Sequence, residues 1–217
     1  LKEGQLLCVA DYKSKTLPVK LEEKQGDWFA KKGMSLKGFH LHFRKDEKLR
    51  ATYIDMVLDE SSQDVGSGQS ALSGLVTKIR ELFDGPLDII MVTDSAANFV
   101  SRDHLGFLIW MNECNWGADA SKGSIRIVMW AFTEPQSGKS ELDGHFAFVK
   151  VVLDASVDAG NDRLVPQDMA FALTEHPIKN TSTFFTKVSK PVKLPGFKKH
   201  ALKHVRLTGV YRICGKK

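Results

Sequence analysis

Ile89, Ile90, Met91 and Val92 form an unbroken apolar run within Leu87 to Thr93, and the run closes on an acid, Asp94. A strand with one wet face alternates apolar and polar residues. One that is apolar at every position is buried on both faces, as happens in parallel or mixed sheets covered by helices. This segment therefore calls for an α/β architecture, and helical patterns flank it. Leu72, Leu75, Val76, Ile79, Leu82 and Phe83 recur at spacings of three and four until Gly85-Pro86 ends the pattern. On the other side, Ser101 or Asp103 is placed to cap a second helix through Leu105, Leu108, Ile109 and Met111.

Upstream, Gln5 to Tyr12 reads as a strand whose apolar stretch also ends in an acid, Asp11. Residues 13 to 35 are polar and mixed, and Pro18 argues against a central strand there. Lys37 to Arg44 alternates, with Phe39, Leu41 and Phe43 on one face and His40 and His42 on the other. Ala51 to Leu58 is a third strand, followed by a Ser/Asp/Gly-rich loop over 59–68. Ile125 to Phe132 is a fifth strand. A third helix starts near Ser140 and runs past Phe146, Val149 and Val152, and Pro166 to Leu173 reads as a fourth. Strand-like pieces lie near 183–188 and 204–213. The order is three strands, helix, strand, helix, strand, helix, and the crossover rule lets the fourth strand lie parallel beside the first. The expected fold is α/β and RNase H-like: a five-stranded mixed sheet, three antiparallel strands and then βαβα, flanked by helices. The expected division is a catalytic-type domain over 1–160, with a helical and basic extension over 161–217 packed on it.

With strands one and four adjacent and parallel, Asp11 and Asp94 sit at matching carboxyl ends, where α/β sheets form their ligand sites. A third acid from the helix after strand five, Glu141 or Asp143, would complete a site for hard divalent cations, which prefer oxygen ligands. Residues two apart on a helix point about 200° from each other, so one of that pair faces the sheet edge. Without a cation, clustered carboxylates repel and their pKa values rise.

Charge is distributed unevenly. The net formal charge is +5, yet residues 176–217 hold eleven Lys and Arg and no acid, leaving 20 basic against 26 acidic residues before them. An acidic body with a basic end suits a polyanion partner, and Phe184, Phe185, Phe197 and Tyr211 interleave with those charges. Cys8, Cys114 and Cys214 are widely spaced and form no CxxC pair, so they read as thiols in a reducing compartment rather than a zinc knuckle or a disulfide framework. No apolar run approaches the ~18 residues of a membrane span. There is no signal-peptide pattern, so a nuclear or other intracellular location is expected rather than secretion. The chain opens on Leu and enters a strand almost at once, which reads as a piece of a longer protein. No glycine-rich phosphate loop is present to support a small-molecule nucleotide enzyme.

At the acids the sequence resembles transposase-derived, RNase H-like domains of eukaryotic mobile elements and their host-resident relatives. That family shows a strand ending Ser-Asp-Tyr, a later one ending Ser-Asp-Gly, and a Gly-Lys-Gly-x-x-Asp-Gly segment. The counterparts here are Val9-Ala10-Asp11-Tyr12, then Val92-Thr93-Asp94-Ser95-Ala96-Ala97, then Ser137-Gly138-Lys139-Ser140-Glu141-Leu142-Asp143-Gly144 with Lys150 following. The match spans roughly residues 5–155 and favours Asp143 over Glu141 as third acid. It departs at Asn98-Phe99-Val100-Ser101, where the family has Gln-Tyr-Lys-Asn, and at His145-Phe146, where the family has small Gly-Gly residues.

The resemblance implies a DDD/E-type transposase or nuclease acting in DNA recombination, with Asp11, Asp94 and Asp143 as catalytic metal ligands for Mg2+ or Mn2+. Phosphodiester hydrolysis or strand transfer would use two ions on the order of 4 Å apart. Lys139 and Lys150 would contact the scissile backbone, and Lys198, Lys199, Lys203 and Arg206 the flanking duplex. Lys139 is equally placed to pair with Asp143 at i,i+4 spacing. DNA is the expected partner, and self-association would run through the C-terminal segment or segments beyond this chain. The alternatives are a domesticated, non-catalytic RNase H-like module that binds nucleic acid or protein, and an RNA-strand cutter that reads the 2′-hydroxyl. His145 reads as a packing or hydrogen-bonded histidine before a proton shuttle. His40 and His42 share a strand face but show no third zinc ligand. Trp28, Trp110, Trp116 and Trp130 read as core.

Overall fold

The computed structural model describes residues 1–24, 31–94, 101–116, 121–133, 141–192 and 210–212. Strands β1 (Gln5–Tyr12), β2 (Ser35–Lys45) and β3 (Lys48–Leu58) form an antiparallel meander. Helix α1 (Val65–Leu82), strand β4 (Leu87–Asp94), helix α2 (Arg102–Glu113) and strand β5 (Ile125–Thr133) follow, then helices α3 (Glu141–Asp158) and α4 (Pro166–Glu175) and strands β6 (Thr181–Thr186) and β7 (Val210–Arg212). The sheet runs β6-β3-β2-β1-β4-β5-β7. β4 lies parallel beside β1, the placement that the element order allowed, and β5 lies parallel beside β4.

The sheet has seven strands and not the five expected. Both extra strands come from the C-terminal region: β6 runs parallel along Tyr53–Leu58 of β3, and β7 pairs antiparallel with Met129–Ala131 of β5. An unpaired edge presents a row of open N–H and C=O groups, and these two segments cover both edges of the five-strand core. α1 also begins earlier than its apolar repeat suggested. Asp64 caps it by accepting from the Ser67 amide at 3.0 Å, so the Ser/Gly-rich segment 65–68 is helical. Ser101 caps α2 by accepting from the His104 amide at 3.2 Å.

Two cores cover the two faces of the sheet. Leu6, Cys8, Ala10, Phe39, Leu41, Ile54, Met56, Ile89 and Met91 pack against α1 and α2. Leu36 and Val57 pack against Leu142, Phe146, Val149 and Leu153 of α3 and Met169 and Leu173 of α4. Trp130 is fully buried in the first core and donates from Nε1 to Thr93 Oγ1 at 2.8 Å. Trp110 is only partly buried against that core, and Trp116 is 36% exposed, so for these two the core expectation fails. Trp116 follows Asn115, whose φ of 48° turns the chain off the end of α2 and leaves the indole tilted at 55° against Trp110, with centroids 5.3 Å apart, near the surface. Trp28 lies outside the described residues.

Candidate active site

The β1–β4 register aligns Val9 with Val92 and Cys8 with Met91. Two residues further along, the same register brings Asp11 level with Asp94 on the neighbouring strand. Both point to the face that carries α3, because side chains alternate along a strand and Ala10 faces α1 and α2. On the other side Asp11 pairs with Gly38 of β2. A Cβ at Gly38 would stand 2.6 Å from Phe146 Cε1 and 3.0 Å from Leu142 Cδ1, so only a glycine lets the first turn of α3 settle beside Asp11. That turn carries Asp143.

Asp11 feels the charges of the other two aspartates. Partial burial raises the pKa of Asp11, and the charges of Asp94 and Asp143 raise it further. The Tyr12 amide opposes this by donating to Asp11 Oδ1 at 2.7 Å, and Lys37 opposes it through its charge. Glu141, the other acid considered for the third position, turns to β2. Its Oε2 lies 3.1 Å from His40 Nδ1 and 3.9 Å from His42 Nε2. Among the described residues, His40, His42 and Glu141 form a three-ligand set whose donor atoms all fall within 4.8 Å of one another.

Lys37 went unrecognised in the sequence. It shares its strand face with Phe39 and Leu41, is almost fully buried, and lies 4.8 Å above the Tyr12 ring. Burial pulls its pKa down to about 7, while the charges of Asp11 and Asp94 act the other way. A lysine at a core-facing position of an alternating strand was the available signal. Asp55 was also missed, although it breaks the apolar run of β3. It is fully buried, and both its carboxylate oxygens lie 2.9 Å from His145 Nε2. His145 is thus a buried, hydrogen-bonded residue. Tyr53 stacks between His145 and His40, with centroids 4.2 Å from each. Burial lowers the pKa of His40 to about 4, with His42 adding to the effect and Glu141 opposing it.

Of the basic residues expected to contact DNA, Lys150 is exposed and pairs with Asp154 at 2.5 Å along α3. Lys139, Lys198, Lys199, Lys203 and Arg206 lie outside the described residues, as do Phe197 and Cys214. Cys8 is buried and Cys114 exposed. No helix among the described residues is long and apolar enough to cross a membrane. No family model matches the chain, and no curated protein matches it.

Proposed function

We propose that the chain is an RNase H-like, metal-dependent polynucleotidyl transferase or nuclease domain of transposase type that cuts or joins DNA phosphodiesters. The observation that carries this reading is the alignment of Asp11 and Asp94 on neighbouring parallel strands, with Asp143 close enough for its charge to act on Asp11. Half-buried carboxylates from β1 and β4 and an exposed one from the start of α3 lie toward the carboxyl end of two parallel strands. Their all-oxygen donor set and mutual repulsion suit a hard divalent cation, Mg2+ or Mn2+. Asp11 would be the central ligand, because it feels both other acids, with Asp94 and Asp143 holding either side. When bound there, divalent cations supply an activated water or 3′-hydroxyl and neutralise the leaving oxygen. The protein's own part is positional: the β1–β4 register fixes two acids, and Gly38 lets α3 deliver the third.

One observation favours the second reading, a non-catalytic RNase H-like module. Lys37 is buried within electrostatic reach of Asp11 and Asp94 and offsets part of their charge without a cation. Calorimetric titration of Mn2+ into the 217-residue chain, beside Asp94→Ala and Asp143→Ala, separates the two. Binding in the parent that both substitutions abolish is the expected result, and it should be matched by Mn2+-dependent nicking of labelled duplex DNA. A parent chain that binds no Mn2+ would overturn the catalytic reading and leave the binding module.

A further inference from the structure

We propose that His40, His42 and Glu141 form a separate transition-metal site, of Zn2+ type, that fastens the first turn of α3 to strand β2. It is distinct in position and chemistry from the aspartate site and does not depend on the nuclease reading.

The distances fit a single ion. Two ligands each about 2.1 Å from a tetrahedral Zn2+ stand roughly 3.4 Å apart. Glu141 Oε2 lies 3.1 Å from His40 Nδ1 and 3.9 Å from His42 Nε2, and no pair in the set exceeds 4.8 Å. Small side-chain adjustments would bring all three onto one centre.

Each ligand is oriented by the fold. His40 and His42 are two apart on β2 and so share the face that α3 covers. Tyr53, the cross-strand partner of His40, stacks on its ring at 4.2 Å and 7°. The His42 ring sits 4.0 Å away on a tilt of 56°. Tyr53 is held in turn by His145, which is anchored on Asp55. The His40 imidazole is therefore fixed before any ion arrives, as outer-shell partners fix metal-ligating histidines. Glu141 is 69% exposed, so the ion would enter from solvent and keep a fourth position open.

Two imidazoles and one carboxylate select Zn2+ and its neighbours over Mg2+ or Ca2+, which take oxygen donors. The arrangement has a structural consequence. Glu141 opens α3 and Asp143 follows two residues later, so an ion joining Glu141 to β2 tethers the turn that delivers Asp143.

The test uses the 217-residue chain freed of metal with a chelator. Zn2+ is titrated calorimetrically, and Co2+ is added separately to read coordination from its visible spectrum. Glu141→Gln and His42→Ala alter exposed and half-exposed side chains and should leave the fold intact, as circular dichroism would verify. Expected are one Zn2+ per chain and an intense tetrahedral Co2+ spectrum. Each substitution should weaken Zn2+ binding at least about 100-fold, beyond what loss of an outer-shell partner costs. Asp94→Ala should leave this binding unchanged, which separates the site from the aspartates. Zn2+ binding that survives Glu141→Gln and His42→Ala, or that disappears in Asp94→Ala, would overturn the proposal, as would no binding by the parent.

Discussion

The contact between His145 and Asp55 offers a direct measure of what holds α3 to the sheet. Asp55 is 0% exposed and His145 4%, and the two meet through both carboxylate oxygens at 2.9 Å. His145→Leu replaces the imidazole with a side chain of similar bulk and leaves the carboxylate buried without this partner. Breaking a buried pair from one side costs about 3–5 kcal/mol, because the stranded group keeps its desolvation penalty. With an urea m-value of about 2 kcal/mol/M, a loss of about 4 kcal/mol moves the unfolding midpoint down by about 2 M. The decisive variant is the double one. Asp55→Val added to His145→Leu makes the site apolar, and an apolar replacement of a buried pair is often neutral. The double variant should therefore recover at least half of what His145→Leu loses, a coupling that a cycle of single and double variants isolates. Urea unfolding followed by tryptophan fluorescence reads all four proteins. A double variant less stable than His145→Leu alone, or a single-variant loss below about 1 kcal/mol, would refute the account of a stranded carboxylate.

Two further outcomes follow from the same neighbourhood. Burial holds Lys37 near pKa 7, well below its ordinary value, so between about pH 7 and pH 10 the folded chain binds fewer protons there than the unfolded one. Stability should climb with pH across that window, by at most about 1.4 kcal/mol per pH unit, and be lost as pH falls through 7. Lys37→Met should flatten this slope in chemical denaturation at several pH values, and an unchanged slope would exclude Lys37 as its source. Gly38→Ala drives a methyl against Phe146 and Leu142, 2.6 and 3.0 Å away, and should cost about 1–3 kcal/mol in urea unfolding. A cost within about 0.5 kcal/mol would mean that α3 shifts freely on the sheet.

The strand order around β1 and β4 was legible because it rests on strong local signals. The all-apolar run before Asp94 and the repeat from Leu72 to Phe83 leave few topologies open. The edge segments read as strand-like, but their partners in the sheet were not legible. β6 and β7 gain their place by pairing with β3 and β5, and nothing local to Thr181–Thr186 or Val210–Arg212 states that partner. The alignment of Asp11 with Asp94 could be anticipated because both acids end apolar runs on parallel neighbours. The burial of Asp55 and Lys37 left a fainter signal, a single polar residue within an apolar strand pattern, which does not by itself say that a helix covers it. Gly38 is a similar case: its role appears only when Phe146 and Leu142 are placed over it, more than a hundred residues later in the chain.

The two acids at the start of α3 show how a correct local rule can have more than one consequence. Glu141 and Asp143 do diverge, as residues two apart on a helix must. The expectation treated that divergence as a competition in which only one of the two acids faces the sheet edge. The first turn of α3, however, lies over Gly38, at the seam between β2 and β1. Asp143 then acts on Asp11 of β1, while Glu141 reaches the histidines of β2. The same divergence thus lets one turn of helix serve two strands. It also couples the two places mechanically, because any force that draws Glu141 onto β2 moves the turn that carries Asp143.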